Sequence, residues 1–563
     1  MVRKLLNFFT KGFLAREVSS LNQAAFLLGL FSVLSQAIGF LRDRLLAHIF
    51  GVGPTLDAYY AAFRIPDFLF VTVASVVSLS VLVPFIIEKD AKGKAELRAF
   101  IDSVFSFFAI FMVVAAALTW FLMPFVSAIL FKGMPPGELE NIVFISRILL
   151  LSPIILGLSN LLGSLTQAYN RFVIYALAPI LYNAGIVMGI LLFSGRFGIL
   201  GAVIGVAIGA FLHLLVQVPF VFKAGLMPRP TFRPDWGSVE KVARISVPRT
   251  LTLSMSSLVF IFLVAMASRM IAGSVSVLSF SWNLQTISLS IIGVSYSLAA
   301  FPTLSRKFQE KNIPDFIKQM QATSRFIIFW SLPLTALLVV LRAQIVRVML
   351  GTGVFDWDAT RLVAASLALF IISSVFQSLL LLLMRGFYSA GVTKKPFYWN
   401  LVSTAILGLA TYGLVLAFYH SYLFHYFITT LMKVADLPNS AVLMLPLGFS
   451  VGTVINAILL WIFFEREFPG YSRGLWRAWF ESIGASVIMG AVAYGGLNLF
   501  VRFSAADTLL GIFLQGFLAG ILAIVAWVGI LILLKSRELA ETWASLRGRF
   551  WKAKVIATDP EIV

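Results

Sequence analysis

The stretch QAIGFLRDRLLAHIFG, residues 36–51, places three consecutive charged side chains, Arg42, Asp43 and Arg44, inside the first long apolar segment of the chain. The 563-residue sequence is 60% hydrophobic and 12% charged. A soluble domain is about one-quarter charged. Because so much apolar surface cannot be buried in a water-soluble core, and because helices satisfy their own backbone hydrogen bonds in lipid, the composition predicts an all-α polytopic membrane protein.

Apolar runs long enough to cross a bilayer recur along the whole chain. A span needs about 20 apolar residues. Marking the runs between charged or Gly/Pro-rich breaks predicts about fourteen transmembrane helices, at residues 22–50, 57–87, 99–131, 141–168, 172–195, 198–222, 243–271, 275–304, 319–350, 360–390, 397–419, 440–464, 478–501 and 508–534.

The basic residues predict the orientation of the chain. Most of the 44 lysines and arginines fall in the two terminal segments and in every second loop between the predicted spans. Since cytoplasmic loops are enriched in Lys and Arg, this bias predicts an even number of spans with both termini in the cytoplasm. Residues 1–20 are basic and are interpreted as an amphipathic surface segment.

Several residue pairs indicate an internal repeat. Four pairs, Pro84/Pro302, Pro179/Pro396, Asn183/Asn400 and Tyr169/Tyr388, are separated by 217 to 219 residues. The repeat predicts two pseudo-symmetric six-helix lobes, residues 21–224 and 225–465, around a central cavity that rocking of the lobes would expose to either side. Residues 466–535 then hold an appended pair of helices, and residues 536–563 a basic cytoplasmic tail.

Several classes of protein are disfavoured by composition. The chain has no cysteine, and its four histidines show no ligand spacing, so we expect no metal site and no cofactor. Neither a phosphate-binding loop nor a nucleophile–base pair is visible, so we do not expect an enzyme. The net charge of +19 is interpreted as the positive-inside bias and attraction to anionic lipid, not as nucleic-acid binding.

Span 1 carries the first candidate site. At helical spacing Ser35, Arg42 and Asp43 share one face with Gly39, and Gln36 lies beside them. Such a face suits a water-filled cavity, since charged residues inside spans are expensive and usually functional. The alternative is that the helix ends at Leu41 and the charges are interfacial anchors.

Span 2 adds Asp57, Arg64 and Asp67 around the helix-kinking Pro66. Arg64 can pair with Asp67 or with a carboxylate of span 1. Asp57 is either a helix-capping residue or a functional one.

The second lobe supplies neutral polar candidates. Arg249 lies early in span 7, and Asn283 lies among serines in span 8. These residues either line a cavity or pack helices closely.

Four segments of the sequence are informative together: GFLRDRLLAHIFGVGPTLDAYYAAFRIPDFL, LTQAYNRFVIYALAPILYN, LMRGFYSAGVTKKP and LGTGVFDWDAT. They resemble the MurJ/MviN family of lipid II flippases, part of the multidrug/oligosaccharidyl-lipid/polysaccharide exporter superfamily. The resemblance implies fourteen spans, a lipid-tail groove on spans 13 and 14, and alternating access. It also implies binding of the lipid II diphosphate in a cationic cavity, with Arg42 and Asp57 at functionally important positions.

The sequence departs from the family pattern where three cavity arginines are expected. Gln36, Phe70 and Asn283 occupy those positions, and Arg64, Arg249 and Arg269 are candidates to replace them. A flippase for another polyprenyl-diphosphate glycan therefore stays open as an alternative. So do a cation-coupled drug exporter that uses the carboxylates of the first lobe, and a non-transporting scaffold.

The resemblance also sets the expected surroundings. We expect a monomer in the bacterial cytoplasmic membrane, with lipid II and membrane lipids as partners. Cell-wall synthesis enzymes are further candidate partners.

Overall fold

The computed structural model describes residues 21–74, 79–392, 394–501 and 508–551, and every regular element within these ranges is helical. The predicted amphipathic segment 1–20 lies outside the described residues, as does the tail after residue 551. Within the described ranges, the predicted all-α class is confirmed.

The helices follow one another with short connections. In the first half they are α1 (Leu21–Phe50), α2 (Pro54–Leu69), α3 (Leu79–Lys92), α4 (Lys94–Leu130), α5 (Pro136–Leu149), α6 (Leu151–Ala168), α7 (Phe172–Phe197), α8 (Leu200–Leu215) and α9 (Val218–Lys223). In the second half they are α10 (Trp236–Ala267), α11 (Ser274–Ser288), α12 (Ser295–Gln309), α13 (Ile313–Val340), α14 (Arg342–Leu350), α15 (Trp357–Ile371), α16 (Ser374–Ser389), α17 (Lys394–His420), α18 (Tyr422–Met432), α19 (Met444–Glu467), α20 (Leu475–Phe500), α21 (Leu509–Leu533) and α22 (Arg537–Trp551).

Length and composition identify ten membrane-span candidates among the described helices, or eleven when the bent pair α15 and α16 is one span. All of them coincide with predicted spans. The remaining predicted spans, the first, second and seventh, are helical in α1, in α2 with α3, and in α10. Of these, α1, α2 and α10 carry the charged candidate residues, and charges lower mean hydropathy.

Two π-helical turns support the internal repeat. One covers Phe70–Ala74 after α2, and the other covers Leu289–Val294 after α11. Their first residues are 219 positions apart, which agrees with the separation of the sequence pairs. A π-helical turn inserts an extra residue into the ladder and is frequent at functional sites.

The chain forms two compact units. The first contains residues 1–280, 349–363 and 412–445. One apolar core in it includes Leu97, Phe108 and Leu165. Within it α7 and α8 pack through glycines, since a Cβ atom on Gly189 would lie 2.3 Å from the Cα of Gly205. Small residues allow this close helix contact in lipid.

The second unit contains residues 281–348, 364–411 and 446–563. Its main core packs Phe316, Phe387 and Phe464. A separate cluster in the same unit joins α13 to the last two long helices through Phe329, Ala485 and Trp527. The aromatic ring centroids of Phe329 and Trp527 are 5.2 Å apart, a distance typical of favourable ring pairs.

Candidate functional site

The guanidinium group of Arg42 is the centre of the first cluster. Helix α1 continues to Phe50, so the alternative in which it ends at Leu41 is wrong. Arg42 donates from Nε to the Asp43 carboxylate at 2.9 Å and from Nη1 to the Asn183 side-chain oxygen at 3.2 Å. The side chain of Arg42 is 24% exposed and that of Asp43 is 5% exposed. Nε and Nη1 of the guanidinium are therefore held by protein, while about a quarter of the Arg42 side chain as a whole is exposed.

Asn183 on α7 organises this cluster. Its Nδ2 atom donates to the Ser35 hydroxyl at 3.3 Å, and its side-chain oxygen accepts from Arg42. A Cβ atom on Gly39 would lie 3.8 Å from that oxygen, an ordinary contact distance, so Gly39 faces Asn183. The structure thus brings Ser35, Gly39 and Arg42 together, as the helical spacing predicted.

Asn183 was not among the predicted site residues. It was noticed only as a member of the internal repeat, in APILYN. The signal that could have identified it is an asparagine inside an apolar span, because such amides are expensive to bury without a partner.

Three other predicted residues lie elsewhere or are not described at the side-chain level. Gln36 is on the exposed side of α1. The backbone of Arg249 is in α10, and its side chain lies outside the described residues. Asn283 is half-buried on α11 in the second unit, where its carbonyl oxygen accepts from the Thr286 hydroxyl at 2.7 Å.

Arg64 is occupied by groups on its own and a neighbouring helix. It donates to the Tyr60 carbonyl oxygen at 2.9 Å, and its Nη2 atom is 3.9 Å from the Asp67 carboxylate. Its guanidinium carbon lies 4.7 Å from the centre of the Phe260 ring on α10. Of the two partners considered for Arg64, the structure selects Asp67.

Asp57 forms the second cluster, near the start of α2. Its carboxylate accepts from the backbone amide of Gly273 at 2.6 Å and of Ser276 at 2.7 Å. The Ser276 hydroxyl donates to the same carboxylate. Asp57 is in the first turn of its own helix, yet it caps α11 instead. A buried carboxylate at a helix N-terminus is stabilised by the free amides and the helix dipole.

The turn that Asp57 holds, residues 268–276, has two further attachments within the first unit. The Asn439 amide donates to the Ala272 carbonyl oxygen at 3.1 Å. A Cβ atom on Gly133 would lie 2.3 Å from both the Arg269 Cα and the Ser268 carbonyl oxygen, so the chain after α4 packs directly on this turn.

The end of α1 is fastened to the segment LGTGVFDW. The Val354 amide donates to the His48 carbonyl oxygen at 3.0 Å. Gly353 has φ +62°, and a Cβ atom there would lie 2.2 Å from that oxygen. Only glycine combines this backbone conformation with such a close approach.

The site therefore has two parts, the partly exposed Arg42 side chain on α1 and the loops that Asp57 holds together. The first part can bind an anion, because an arginine fork matches phosphate oxygens. The second part holds chain segments that are far apart in sequence. No group of three His, Cys, Asp or Glu residues that could hold a metal ion occurs in the searched part of the structure, residues 21–551 with the gaps given above.

Comparison with known sequences identifies relatives that are described as lipid II flippases. A family model described as Lipid II flippase MurJ matches residues 46–514. The chain is 30% identical over 387 residues to the probable lipid II flippase MurJ of Thermotoga maritima, covering 68% of this chain and 76% of that protein. It is 24% identical over 477 residues to the lipid II flippase MurJ of Burkholderia cenocepacia, covering 82% of this chain and 88% of that protein.

Comparison with solved structures agrees on the fold. A structure titled as lipid II flippase MurJ in an inward closed conformation matches with a TM-score of 0.71 at 20% identity, covering 90% of this chain and 99% of that one. An inward-facing multidrug resistance MATE family transporter of the MOP superfamily matches with a TM-score of 0.61 at 16% identity, covering 78% and 96%.

Proposed function

This chain belongs to the lipid II flippase MurJ family, and we propose on that basis that it moves lipid II from the inner to the outer leaflet of the bacterial cytoplasmic membrane. The observation that carries the proposal is the state of Arg42. A half-buried guanidinium on a membrane helix, held on one side by Asp43 and Asn183, supports a role in binding the lipid II diphosphate.

The fixed orientation of Arg42 favours tight phosphate binding. Side chains that are already ordered lose less conformational entropy when a ligand arrives. Asp43 offsets the charge of Arg42 while the cavity is empty, so the diphosphate would compete with this carboxylate for the same donors. Arg64 contributes positive charge to the same half of the chain, although its fork already contacts Tyr60 and Phe260.

The contacts between loops support the proposed topology. The contacting segments are five different loops or helix ends, each after an odd-numbered predicted span. They are represented by Asp57, Gly133, Gly273, Val354 and Asn439. Segments that contact one another at a membrane surface must lie on the same side, so an even number of spans must separate them. The predicted spans meet this requirement. With both termini in the cytoplasm, as the distribution of Lys and Arg favours, this cluster closes the outer end of the transport path.

Alternating access would then consist of releasing this outer cluster. The 225–465 lobe supplies the turn 268–276, and the 21–224 lobe supplies Asp57. Rocking of the proposed lobes would separate these groups and expose the bound headgroup to the outer leaflet. We further propose that the protein works as a monomer, that wall-synthesis enzymes receive its product, and that it catalyses no covalent reaction.

The test is a pair of measurements on Arg42→Ala. We expect the variant to reach the membrane, to fail to support growth of a flippase-depleted bacterium as sole copy, and to lose lipid II binding in the purified state. Arg147→Ala is the matched control, because Arg147 stacks on Trp120 at 4.0 Å and has no part in the cluster. Growth and binding equal to those of the unaltered chain would refute the role of Arg42.

A different polyprenyl-diphosphate glycan is the second candidate substrate, favoured by Gln36, Phe70 and Asn283 where the family has arginines. Competition separates the candidates. If excess undecaprenyl diphosphate alone displaces bound lipid II, the protein recognises only the diphosphate that the candidate substrates share. Failure of lipid II to bind, together with binding of another lipid-linked glycan, would favour the second candidate.

Single cysteines test the orientation, because the chain has none of its own. Gly137, at the start of α5, and Phe232, in the loop before α10, are exposed residues on opposite predicted sides of the membrane. A membrane-impermeant maleimide added to intact cells, with the outer membrane made permeable, should label Gly137→Cys and not Phe232→Cys. Labelling of Phe232→Cys and not of Gly137→Cys would show that the topology is the opposite of the proposed one.

A further inference from the structure

The short helix α18 lies in a connection that the internal repeat does not require. Residues 421–443 join α17 to α19, whereas the corresponding connection between α7 and α8 consists of residues 198 and 199. Since two residues are enough to link these helices in the first half, the longer segment in the second half is an addition with a role of its own.

One side of α18 is strongly exposed and apolar. Tyr422 is 84% exposed and Leu423 76% exposed, and the residues one and two turns later on the same stripe, Tyr426, Phe427 and Leu431, are also exposed. The opposite side, with Ile428 and Thr429, is buried against the protein. Side chains four residues apart share a helix face, so these residues form one continuous aromatic and aliphatic stripe.

The membrane-span candidate α17, which directly precedes α18 in the chain, also has an exposed apolar stripe. On that helix Tyr412 is 51% exposed, and Leu416 and Tyr419 follow at intervals of four and three residues. A lipid-facing helix directly before α18 favours lipid as the occupant of the stripe on α18. Tyrosine is enriched at the level of lipid headgroups, where its ring is buried and its hydroxyl is hydrated.

We propose that α18 is an interfacial helix that lies in the outer leaflet at headgroup depth, with the stripe from Tyr422 to Leu431 in the membrane. The leaflet assignment rests on the topology given above, while the membrane location itself does not. A helix of this kind binds through buried apolar area and keeps its other face on the protein or in water.

The end of α18 is attached to the cluster around Asp57. Arg361 on α15 donates from Nε to the Lys433 carbonyl oxygen at 3.2 Å and from Nη1 to the Asp436 carboxylate at 2.7 Å. Six residues after Lys433, the Asn439 side-chain amide donates to the Ala272 carbonyl oxygen. The next residue, Gly273, donates its backbone amide to the Asp57 carboxylate. The membrane contact of α18 therefore restrains the same turn, residues 268–276, that must be released for the outer end to open.

Depth measurements with single cysteines test the location. Leu423→Cys, labelled with bimane in nanodiscs, should be quenched by lipids brominated on their acyl chains and shielded from aqueous iodide. Leu409→Cys supplies the lipid-exposed reference. Gly137→Cys supplies the reference that we expect to be water-exposed, since Gly137 is an exposed residue at the very end of a span candidate. A Leu423 probe that behaves like the Gly137 probe would overturn the proposal.

Hydrogen exchange tests the attachment. Replacing Tyr422, Tyr426 and Phe427 by serine should speed amide exchange in residues 434–443 and 268–276 relative to the unaltered chain. Leu409→Ser, which removes a comparable exposed side chain from α17, should leave both segments unchanged. Unchanged exchange in the triple variant would overturn the coupling. Neither measurement needs lipid II or transport, so failure here is distinct from failure of the proposed function.

Discussion

Asp57 at the start of α2 caps a helix that lies more than two hundred residues later in the chain, since its carboxylate accepts from the amide of Ser276 at 2.7 Å. A cap normally belongs to the helix that it begins. Here the acceptor and the donors are on different predicted lobes, so the strength of one cap helps to set how tightly two parts of the protein are held together.

Asp57→Asn should shift the protein toward a state that is open at this end. The amide keeps one acceptor but loses the charge, and its NH₂ group faces backbone donors, which together cost about 1–3 kcal/mol. Spin labels on Gly137→Cys and Ala435→Cys should report a broader and longer distance distribution. Asp235→Asn is the control, because Asp235 caps α10 through the Ser238 amide outside this cluster. An unaltered distribution in Asp57→Asn would contradict the locking role.

Asn183→Ala should weaken binding of lipid II while leaving the protein folded. The variant removes the hydrogen bond that holds Nη1 of Arg42, and a bond to a charged group contributes about 1.5–3 kcal/mol, so the dissociation constant should rise by roughly tenfold or more. Titration of the purified protein with lipid II measures the change. Asn312→Ala is a suitable control, because Asn312 is also a hydrogen-bonded asparagine but caps α13. Equal affinity in Asn183→Ala and the unaltered chain would show that Asn183 does not position Arg42.

Gly353→Ala should destabilise the fastening of α1 to the LGTGVFDW segment. The methyl group would meet the His48 carbonyl oxygen at 2.2 Å, in addition to the strain of φ +62°. Gly225→Ala is closely matched, since Gly225 has φ +68° and nothing within 4 Å. Backbone strain alone is about 1–2 kcal/mol, so thermal unfolding should occur at a lower temperature for Gly353→Ala than for Gly225→Ala. Equal transition temperatures would indicate that the segment moves aside at no cost.

Gly189→Ala should loosen the contact between α7 and α8, on which the position of Asn183 depends. Its Cβ atom would overlap the backbone of Gly205, and overpacking of this kind typically costs about 1–3 kcal/mol. Gly195 is on the same helix with nothing within 4 Å, so Gly195→Ala should be neutral or slightly stabilising. The difference in thermal stability between the two variants isolates the helix contact. If Gly189→Ala is as stable as the unaltered chain, the contact between Gly189 and Gly205 does not limit how closely α7 and α8 approach.

Acid should loosen the end of α18. The hydrogen bond from Arg361 lowers the pKa of Asp436 below its ordinary value. The contribution of this pair is therefore complete above the ordinary pKa of Asp, about 3.9, and is lost as the pH falls through the lower folded-state value. A spin label on Ala435→Cys should become more mobile over that acidic range. Asp436→Asn should be mobile already at neutral pH and should lose the acid-dependent step. A label whose mobility does not depend on pH would refute this role of the pair.

The sequence was sufficient for what depends on local pattern. Apolar length predicted all ten or eleven membrane-span candidates among the described helices. Helical spacing placed Ser35, Gly39 and Arg42 on one face before their shared contact with Asn183 was known. These properties depend on residues a few positions apart, where the geometry of an α-helix is fixed.

The partners of Asp57 could not be predicted in the same way. Backbone amides of Gly273 and Ser276 are donors that any residue type would supply, so no side-chain pattern marks them. Asn183 and Arg42 are on α7 and α1, and their contact depends on how these two helices pack. Helix α18 is too short to be predicted as a membrane span. Its apolar stripe can be interpreted only once the structure shows which of its residues are exposed.

The turn 268–276 is held from Asp57, from Asn439 and from the chain at Gly133. Asp57 and Asn439 hold it by hydrogen bonds, whereas at Gly133 the backbones approach too closely for a side chain. If each of the two hydrogen-bonded attachments contributes about 1 kcal/mol, together they favour the closed arrangement by roughly thirtyfold, whereas one alone favours it by only about fivefold. A transporter with an aqueous path must not let ions run down the membrane potential between turnovers. Under the proposed topology, two separate attachments keep this end of the path closed for more of the time than either one would alone.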